Sequence, residues 1–369
     1  MMAPKQSTSD IAVIAAGAVT SVGLSAASTC AAIRASLDNF SETHFVDELG
    51  EPVLGAMVPH GVLDLLEERD GFILGGGDKL AAMLLRAAAE CVSAVTAVDG
   101  AKTALLLIGP EASRPSFDED VTRQCFDACQ RALGGTSHPA SRITAAGRCG
   151  LGLELLYARK LLTHPSSPVR RVLIAAVDSL LNVADINEAL ASQRLLTSEH
   201  SDGFIPGEAA GCVMLSRLEF VTLDAREPHR GASPVLRILG ESVGEEVDTW
   251  HSGRANTGRG LAQAIRGALQ AADMKAGQIA QRLCDVSGES FFFDESTFAW
   301  GRVLRAPFPT EYSFHTLASS IGEVGAACGP LMLALNLDMA RKSWAAGTNT
   351  LIHLSSCEAA RCAVVTSTV

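Results

Sequence analysis

The middle of the chain carries a run of small, turn-forming and acidic residues, Ser201-Asp202-Gly203-Phe204-Ile205-Pro206-Gly207-Glu208-Ala209-Ala210-Gly211. It leads into residues 212–215, a short apolar segment that predicts a buried strand. Glu208 therefore stands at the start of an apolar element, where a carboxylate must be paired or hydrogen-bonded. We expect it to be a scaffold group rather than a reacting one.

Apolar segments on both sides of this run alternate with helical patterns. Residues 103–109 and 172–177 are continuous apolar strands, and residues 79–98 and 149–162 have helical patterns. Strands without polar alternation are typical of a parallel sheet that is covered on both faces. The sequence therefore predicts an α/β fold.

The second part of the chain repeats this order of elements after a polar, turn-rich linker at residues 224–234. The predicted elements there are strands at residues 235–240 and 283–287, helices at 258–274 and 325–341, and a closing antiparallel pair at 349–354 and 361–366. The prediction is thus an N-terminal half at residues 1–223 and a C-terminal half at residues 235–369.

Composition excludes several classes of protein. The 369 residues are 47% hydrophobic and 19% charged, which predicts a compact globule. A net charge of −11 argues against a nucleic-acid partner, because phosphate binding needs a basic face. The ten cysteines show no paired metal spacing; Cys125 and Cys129 could share a helix face but have no second pair nearby. We expect no metal, no cofactor and reduced cysteines.

The N-terminal segment does not resemble a signal peptide, because Lys5 is offset by Asp10 and no positive region precedes the apolar stretch. Nor does any apolar stretch approach the roughly 20 residues that a transmembrane helix needs. We expect a soluble, unprocessed cytoplasmic protein without a membrane partner.

Four motifs, taken in order, resemble those of the β-ketoacyl synthases, the condensing enzymes of the thiolase superfamily. The D-G-F-I-P-G-E run is the specific one; the others are the opening loop at residues 16–23, the helix start near Cys149 and residues 322–329. The resemblance implies a thiolase-like fold, with two duplicated βαβαβ halves in an αβαβα layered sandwich. It also implies a homodimer, or a heterodimer with a related synthase, in fatty acid or polyketide metabolism.

A working enzyme of this family carries its acyl group on a cysteine at the start of a buried helix, where the helix dipole favours the thiolate. Cys149-Gly150-Leu151-Gly152 fits the family's C-x-x-G spacing, which makes Cys149 the candidate nucleophile. If the apolar positions of the following helix are aligned with the family instead, Arg148 or Gly147 occupies the position of the nucleophilic cysteine. The site then has no nucleophile. The sequence leaves both alignments open.

Two histidines of the family stabilise the enolate that forms when malonyl-carrier protein loses carbon dioxide. Where the family has an H-G-T-x-T turn, this chain has Ser287 at the histidine position. In the G-H-x-x-G-A-A-G motif, Glu323 replaces the second histidine. A carboxylate there repels a developing enolate, so decarboxylative condensation is not expected.

Neighbouring positions depart from the family as well. Ala318 replaces the lysine that usually precedes the second histidine, and residues 355–358 replace the Gly-Phe-Gly gatekeeper loop. His315 lies upstream on a predicted strand, where we expect a structural role.

Three functions are compatible with these residues. The first is a silent or acyl-binding subunit, a pseudoenzyme that has lost condensation. The second is an acyltransferase that uses Cys149, and the third is a structural protein of a larger assembly. If an acyl carrier protein or acyl-CoA is the partner, a basic patch must meet the acidic carrier, and its candidates are Arg148, Arg159, Lys160, Arg170 and Arg171.

Overall fold

The computed structural model describes residues 10–59, 76–224, 234–304 and 312–369. Its strands are β1 (Ile11–Thr20), β2 (Ser41–Val46), β3 (Pro52–Gly55), β4 (Thr103–Gly109), β5 (Arg142–Ala145), β6 (Arg171–Ser179), β7 (Glu208–Arg217), β8 (Leu236–Glu245), β9 (Gln281–Cys284), β10 (Ser313–Thr316), β11 (Asn349–Ser355) and β12 (Ala360–Thr368). Its helices are α1 (Ala26–Arg34), α2 (Gly77–Ser93), α3 (Glu119–Ala132), α4 (Gly150–Thr163), α5 (Val183–Ala191), α6 (Leu218–Asp224), α7 (Arg259–Ala271), α8 (Ser290–Val303), α9 (Ala318–Ile321) and α10 (Cys328–Arg341).

Two half-sheets with the same strand order make up the main sheet, whose order is β10-β9-β11-β12-β8-β1-β7-β6-β4-β5. Outward from the junction, β1, β7, β6, β4 and β5 in the first half correspond to β8, β12, β11, β9 and β10 in the second. In each half the inner two pairings are antiparallel and the outer two are parallel. The duplication that no literal sequence repeat reveals is therefore visible in the strand topology.

Helices cover both faces of these half-sheets. Along β4, Leu106 and Ile108 face a core shared with α4 and α10, while Leu105 and Leu107 face a core shared with α2 and α3. The central core also includes Ile352 of β11, so α4 and α10 lie between the half-sheets. Helices α7 and α8 cover the outer face of the second half. The α/β fold class and the αβαβα layers predicted from sequence are confirmed.

The predicted elements are present with shifted ends. The helix predicted at residues 79–98 is α2, and the closing antiparallel pair is β11 and β12. The short strands β5 and β10 and the helices α3 and α8 were not predicted; strands of four residues are too short to show a period. Most of the linker at residues 224–234 lies outside the described residues, so the domain boundary stays a prediction. No helix in the described ranges is long and apolar enough to cross a membrane.

Glu208 ties three elements together at the start of β7. Its carboxylate contacts the ammonium of Lys79 on α2 and accepts hydrogen bonds from the Val58 amide (2.8 Å) and the Ser179 hydroxyl (3.3 Å). Glu208 is 4% exposed and Lys79 is 7% exposed. A buried charge with this many partners is a scaffold group.

Replacing Glu208 by glutamine should lower the free energy of unfolding by about 3–5 kcal/mol, because Lys79 then keeps a buried charge without its partner. Urea unfolding followed by circular dichroism measures the loss. Glu199→Gln, at an exposed position of the preceding loop, is the matched control and should leave stability unchanged. A Glu208→Gln variant as stable as this control would refute the scaffold role.

Candidate functional site

The two central helices begin with matching turns. A single 3-10 turn, Gly147–Cys149, precedes α4, and another, Gly325–Ala327, precedes α10. Gly147 has a φ of 52° and Gly325 a φ of 50°, a left-handed conformation that favours glycine. A Cβ at Gly147 would lie 1.9 Å from Oε1 of Glu111. The Glu111 carboxylate therefore occupies the space that a side chain at position 147 would need.

Arg148 follows Gly147 and is 5% exposed. Its Nη1 lies 3.1 Å from Oε2 of Glu323 and 3.4 Å from Oδ2 of Asp285. The guanidinium carbon lies 5.5 Å from the ring centre of Phe292 on α8. Burial lowers the pKa of Arg148, but the adjacent Glu323 and Asp285 outweigh it and hold that pKa well above its usual value.

Backbone amides hold both carboxylates in place. Asp285 follows β9 and accepts a hydrogen bond from the Ser355 amide (2.7 Å), while Oε1 of Glu323 accepts one from the Gly325 amide (2.9 Å). Burial raises the pKa of Asp285 to about 7, against the opposing effect of Arg148. Burial also raises the pKa of Glu111, again opposed by Arg148. Arg148, Asp285 and Glu323 thus form a buried set of charges, with the partly buried Glu111 beside it.

The D-G-F-I-P-G-E run positions Glu323. The amide of Gly207 donates to the Glu323 carbonyl, and the Glu323 amide donates to the carbonyl of Ile205, each at 2.8 Å. A Cβ at Gly207 would lie 2.4 Å from the carbonyl oxygen of Ile321, so only glycine fits there. At the other end of the run, Asp202 accepts hydrogen bonds from the amide and hydroxyl of Ser290, the first residue of α8, both at 2.6 Å.

A cavity of about 170 Å³ opens beside Arg148, and we call it the arginine cavity. Two further arginines line it, and both are paired with carboxylates. Arg114 contacts Asp178 (2.6 Å) and Asp185 (3.0 Å), and Arg194 contacts Glu289 (2.7 Å). The charged and thiol side chains that line it are Glu111, Arg114, Arg148, Asp185, Glu188, Arg194, Glu323, Cys357 and Glu358.

A larger cavity of about 430 Å³ lies between α2, α3 and the first half-sheet, and we call it the apolar cavity. Arg114 lines both cavities. The apolar lining includes Met57, Leu107, Val121 and Leu181, and charged side chains also line the cavity: Lys79, Asp118, Asp178 and Glu208. A volume in this range suits a small organic ligand.

Of the three predicted site residues, Cys149, Ser287 and Glu323, one lies at Arg148 and the other two lie elsewhere. Glu323 is its ion-pair partner. The thiol of Cys149 instead donates to the carbonyls of Ala360 (3.2 Å) and Leu354 (3.4 Å), away from both cavities. Burial, together with the neighbouring Cys362, raises the pKa of Cys149 well above its usual value. Ser287 lines a separate surface groove with His315.

Sequence reasoning missed Glu111, Arg114, Asp178, Asp285 and Arg194. A usable signal was present: Glu111 follows β4, Asp178 lies near the end of β6 and Asp285 follows β9. The carboxyl ends of parallel strands meet at one edge of a sheet, where ligand-binding residues collect. The arginines carry no such signal, because their partners are distant in sequence.

The predicted basic docking patch needs a correction. Arg148 is buried between two carboxylates, and Arg171 is 9% exposed and donates to the carbonyls of Ala97 (2.9 Å) and Thr96 (3.0 Å). Arg159 contacts Glu241 at 2.6 Å and is half-buried. Only Lys160 and Arg170 of the five candidates are exposed. Of the predicted patch, only these two residues are therefore open to a docking partner, and their role stays a prediction.

Solved ketosynthases share this architecture over nearly the whole chain. The ketosynthase complex AntDE:AntF of a type II polyketide synthase matches with a TM-score of 0.76 at 13% identity, covering 98% of this chain and 99% of that one. A β-ketoacyl synthase from Burkholderia phymatum STM815 matches with a TM-score of 0.73 at 14% identity and the same coverage. The ishigamide ketosynthase/chain length factor matches with a TM-score of 0.68 at 16% identity, also with that coverage.

No protein-family model and no curated protein matches the sequence. The structural likeness defines the class of fold: the chain has the thiolase-like fold of the β-ketoacyl synthases. The resemblance inferred from the D-G-F-I-P-G-E run is confirmed at this level.

Asp285 should make the protein less stable as pH rises. Between the ordinary pKa of 3.8 and the folded-state pKa of about 7, the folded state holds a proton on Asp285 that the unfolded state releases. The free energy of unfolding then falls by up to about 1.4 kcal/mol per pH unit across this window.

Urea unfolding at a series of pH values tests this. Asp285→Asn should flatten the curve relative to the unmodified protein, whereas Asp127→Asn, at an exposed position of α3, should leave its slope unchanged. Parallel curves for the Asp285→Asn variant and the unmodified protein would contradict the assignment.

Proposed function

We propose that this chain is a ketosynthase-like protein without decarboxylative condensing activity, which serves as a silent, acyl-binding subunit. The observation that carries the proposal is the ion-paired Arg148, which lies between Glu323 and Asp285 at the start of α4. Arginine keeps its proton and has no acceptor atom, so it can act neither as a nucleophile nor as a base.

Electrostatics support this reading. An enolate needs preorganised donors aimed at its developing charge, and the loss of one such donor costs about 3–4 kcal/mol. Here Nη1 of Arg148 is directed at both Glu323 and Asp285, and Glu111 adds a third carboxylate nearby. A malonyl group would bring a further negative charge into this set.

Acyl binding is supported by the apolar cavity, and partner choice by the comparisons. The AntDE:AntF structure is described as a ketosynthase in complex with its acyl-carrier protein, and the ishigamide structure as a ketosynthase with a chain length factor. We propose an acyl carrier protein or a related synthase subunit as the partner, with homodimer formation as the other form of pairing.

Acyl transfer through Cys149 is the alternative function. It lacks support from the geometry, because the Cys149 thiol is buried, donates to two carbonyls and lines neither cavity. A covalent adduct after incubation with acyl-CoA, seen by intact mass and absent from Cys149→Ala, would restore this alternative.

The purified protein should release no carbon dioxide from malonyl-carrier protein above the buffer blank, because the carboxylates of Glu111, Asp285 and Glu323 around Arg148 oppose a developing enolate. Radiolabelled malonyl-carrier protein gives the readout, and an active ketosynthase in the same assay is the positive control. Release that scales with protein concentration and is lost in Glu323→Gln would overturn the proposal.

A fluorescent acyl-CoA should bind saturably in the apolar cavity, and fluorescence anisotropy measures its Kd. Leu181→Trp should fill part of the cavity and weaken binding at least about tenfold, which corresponds to about 1.4 kcal/mol. The matched control is Leu153→Trp, because Leu153 is 41% exposed on α4. Equal affinities of the two variants would place the acyl group elsewhere, and absence of binding would remove the acyl-binding part of the proposal.

A further inference from the structure

The buried face of α8 is polar at its centre. Glu295 (0% exposed) and Ser296 (3% exposed) face the second half-sheet. Opposite them lie Arg282 of β9, His353 of β11 and Arg361 of β12, which are all at most 5% exposed. We call these five residues the polar belt.

Strand register places the sheet residues of the belt on one face. Arg282 is paired in register with Leu351 of β11, and His353 lies two residues further along that strand. Two contacts to α8 fix the side on which they lie: Arg282 Nη2 donates to the Ser296 hydroxyl at 3.2 Å, and Arg361 Nε donates to Glu295 at 2.7 Å.

Arg282 is a buried cation that has no carboxylate partner among the described residues. Its Nε and Nη1 have no hydrogen-bond partner in the described part of the chain. Three aromatic rings surround the guanidinium instead, with centroids at 5.0 Å (Trp300), 5.0 Å (Phe314) and 5.9 Å (Tyr312). Cation–π contacts compensate for part of the lost hydration, but they leave the in-plane N–H groups unsatisfied.

The rest of the polar belt is also under-satisfied within the described ranges. Both ring nitrogens of His353, Oε2 of Glu295 and Nη2 of Arg361 lack hydrogen-bond partners. Burial lowers the pKa of His353 well below its usual value, and the nearby Arg282 adds to this effect, so the imidazole is neutral. Two guanidinium groups and one carboxylate therefore leave one positive charge uncompensated.

The corresponding layer of the first half shows that the fold does not require this polarity. Arg282 on β9 and Leu107 on β4 occupy equivalent places. Arg282 is the second residue of β9 that pairs with the edge strand β10, and Leu107 is the second residue of β4 that pairs with the edge strand β5. Leu107 belongs to the apolar core between α2, α3 and the sheet. The fold can therefore pack a leucine at this place. The Arg282 guanidinium needs a counter-charge, which the described residues do not supply.

We propose that the polar belt binds a small monovalent anion, with Nε and Nη1 of Arg282 as its principal donors and a ring N–H of His353 as a further donor. One such ion neutralises the excess charge and satisfies the free N–H groups of Arg282 in their own plane, which the aromatic rings cannot do. Chloride is the probe of choice, because it is spherical and accepts hydrogen bonds from several directions.

Thermal and urea unfolding in chloride, with gluconate at matched ionic strength as reference, test the proposal. Above its Kd, each tenfold increase in chloride should lower the equilibrium constant of unfolding about tenfold. Arg282→Met should abolish this dependence, whereas Arg259→Met, at an exposed position of α7, should keep it. Equal stability in chloride and gluconate, or a dependence that persists in Arg282→Met, would overturn the proposal.

A second measurement uses the unmodified protein, so it does not require that any variant folds. Crystals of the unmodified protein grown in bromide should show anomalous density within hydrogen-bond distance of Arg282 Nε and Nη1. Density without an anomalous signal at this position would identify a trapped water and refute the anion site. Neither experiment involves condensation or acyl binding, so its outcome is separate from that of the proposed function.

Discussion

The ion pairs of Arg148 hold the centre of this protein together. The arginine belongs to the turn that starts α4, Glu323 precedes the matching turn of α10, and Asp285 ends β9. One buried cation therefore joins the first half of the duplicated fold to two elements of the second. Removing one partner from such a buried group usually costs about 3–5 kcal/mol, because the remaining charge cannot be rehydrated. We infer that this junction stabilises the packing of the central helices.

The same contacts support the proposal that this chain keeps the fold without the family's condensing chemistry. A condensing site needs an acyl-accepting thiolate and donors that remain free for an enolate. In this chain Glu111 occupies the space beside Gly147, and Arg148 is directed at two carboxylates. The D-G-F-I-P-G-E run still performs its task, since its backbone binds that of Glu323 and its Asp202 caps α8. A motif made of backbone contacts is indifferent to the side chain at position 323.

The difference between backbone contacts and side-chain contacts determines how much could be predicted from the sequence. The α/β class follows from the apolar strands and the helices that alternate with them, and the scaffold role of Glu208 from its place at the start of an apolar strand, whereas the layers were implied by the resemblance of the D-G-F-I-P-G-E run. The choice between Cys149 and Arg148 could not be made, because sliding a buried helix by one residue preserves its apolar pattern. In the structure Arg148 donates to Glu323, whereas the Cys149 thiol donates to the carbonyls of Leu354 and Ala360, and which of the two residues fills the family's nucleophile position stays a prediction. The missing partner of Arg282 is likewise a property of three-dimensional packing.

Helix α8 contacts both unusual sets of charged residues in this protein. Near its start, Phe292 lies against the Arg148 guanidinium, and Glu289, just before the helix, pairs with Arg194 of the arginine cavity. Around its middle, Glu295 and Ser296 face the polar belt. One helix of 14 residues therefore packs against both sets. Its first turn contacts the guanidinium that joins the two halves, and its next turn contacts the guanidinium for which we propose an anion.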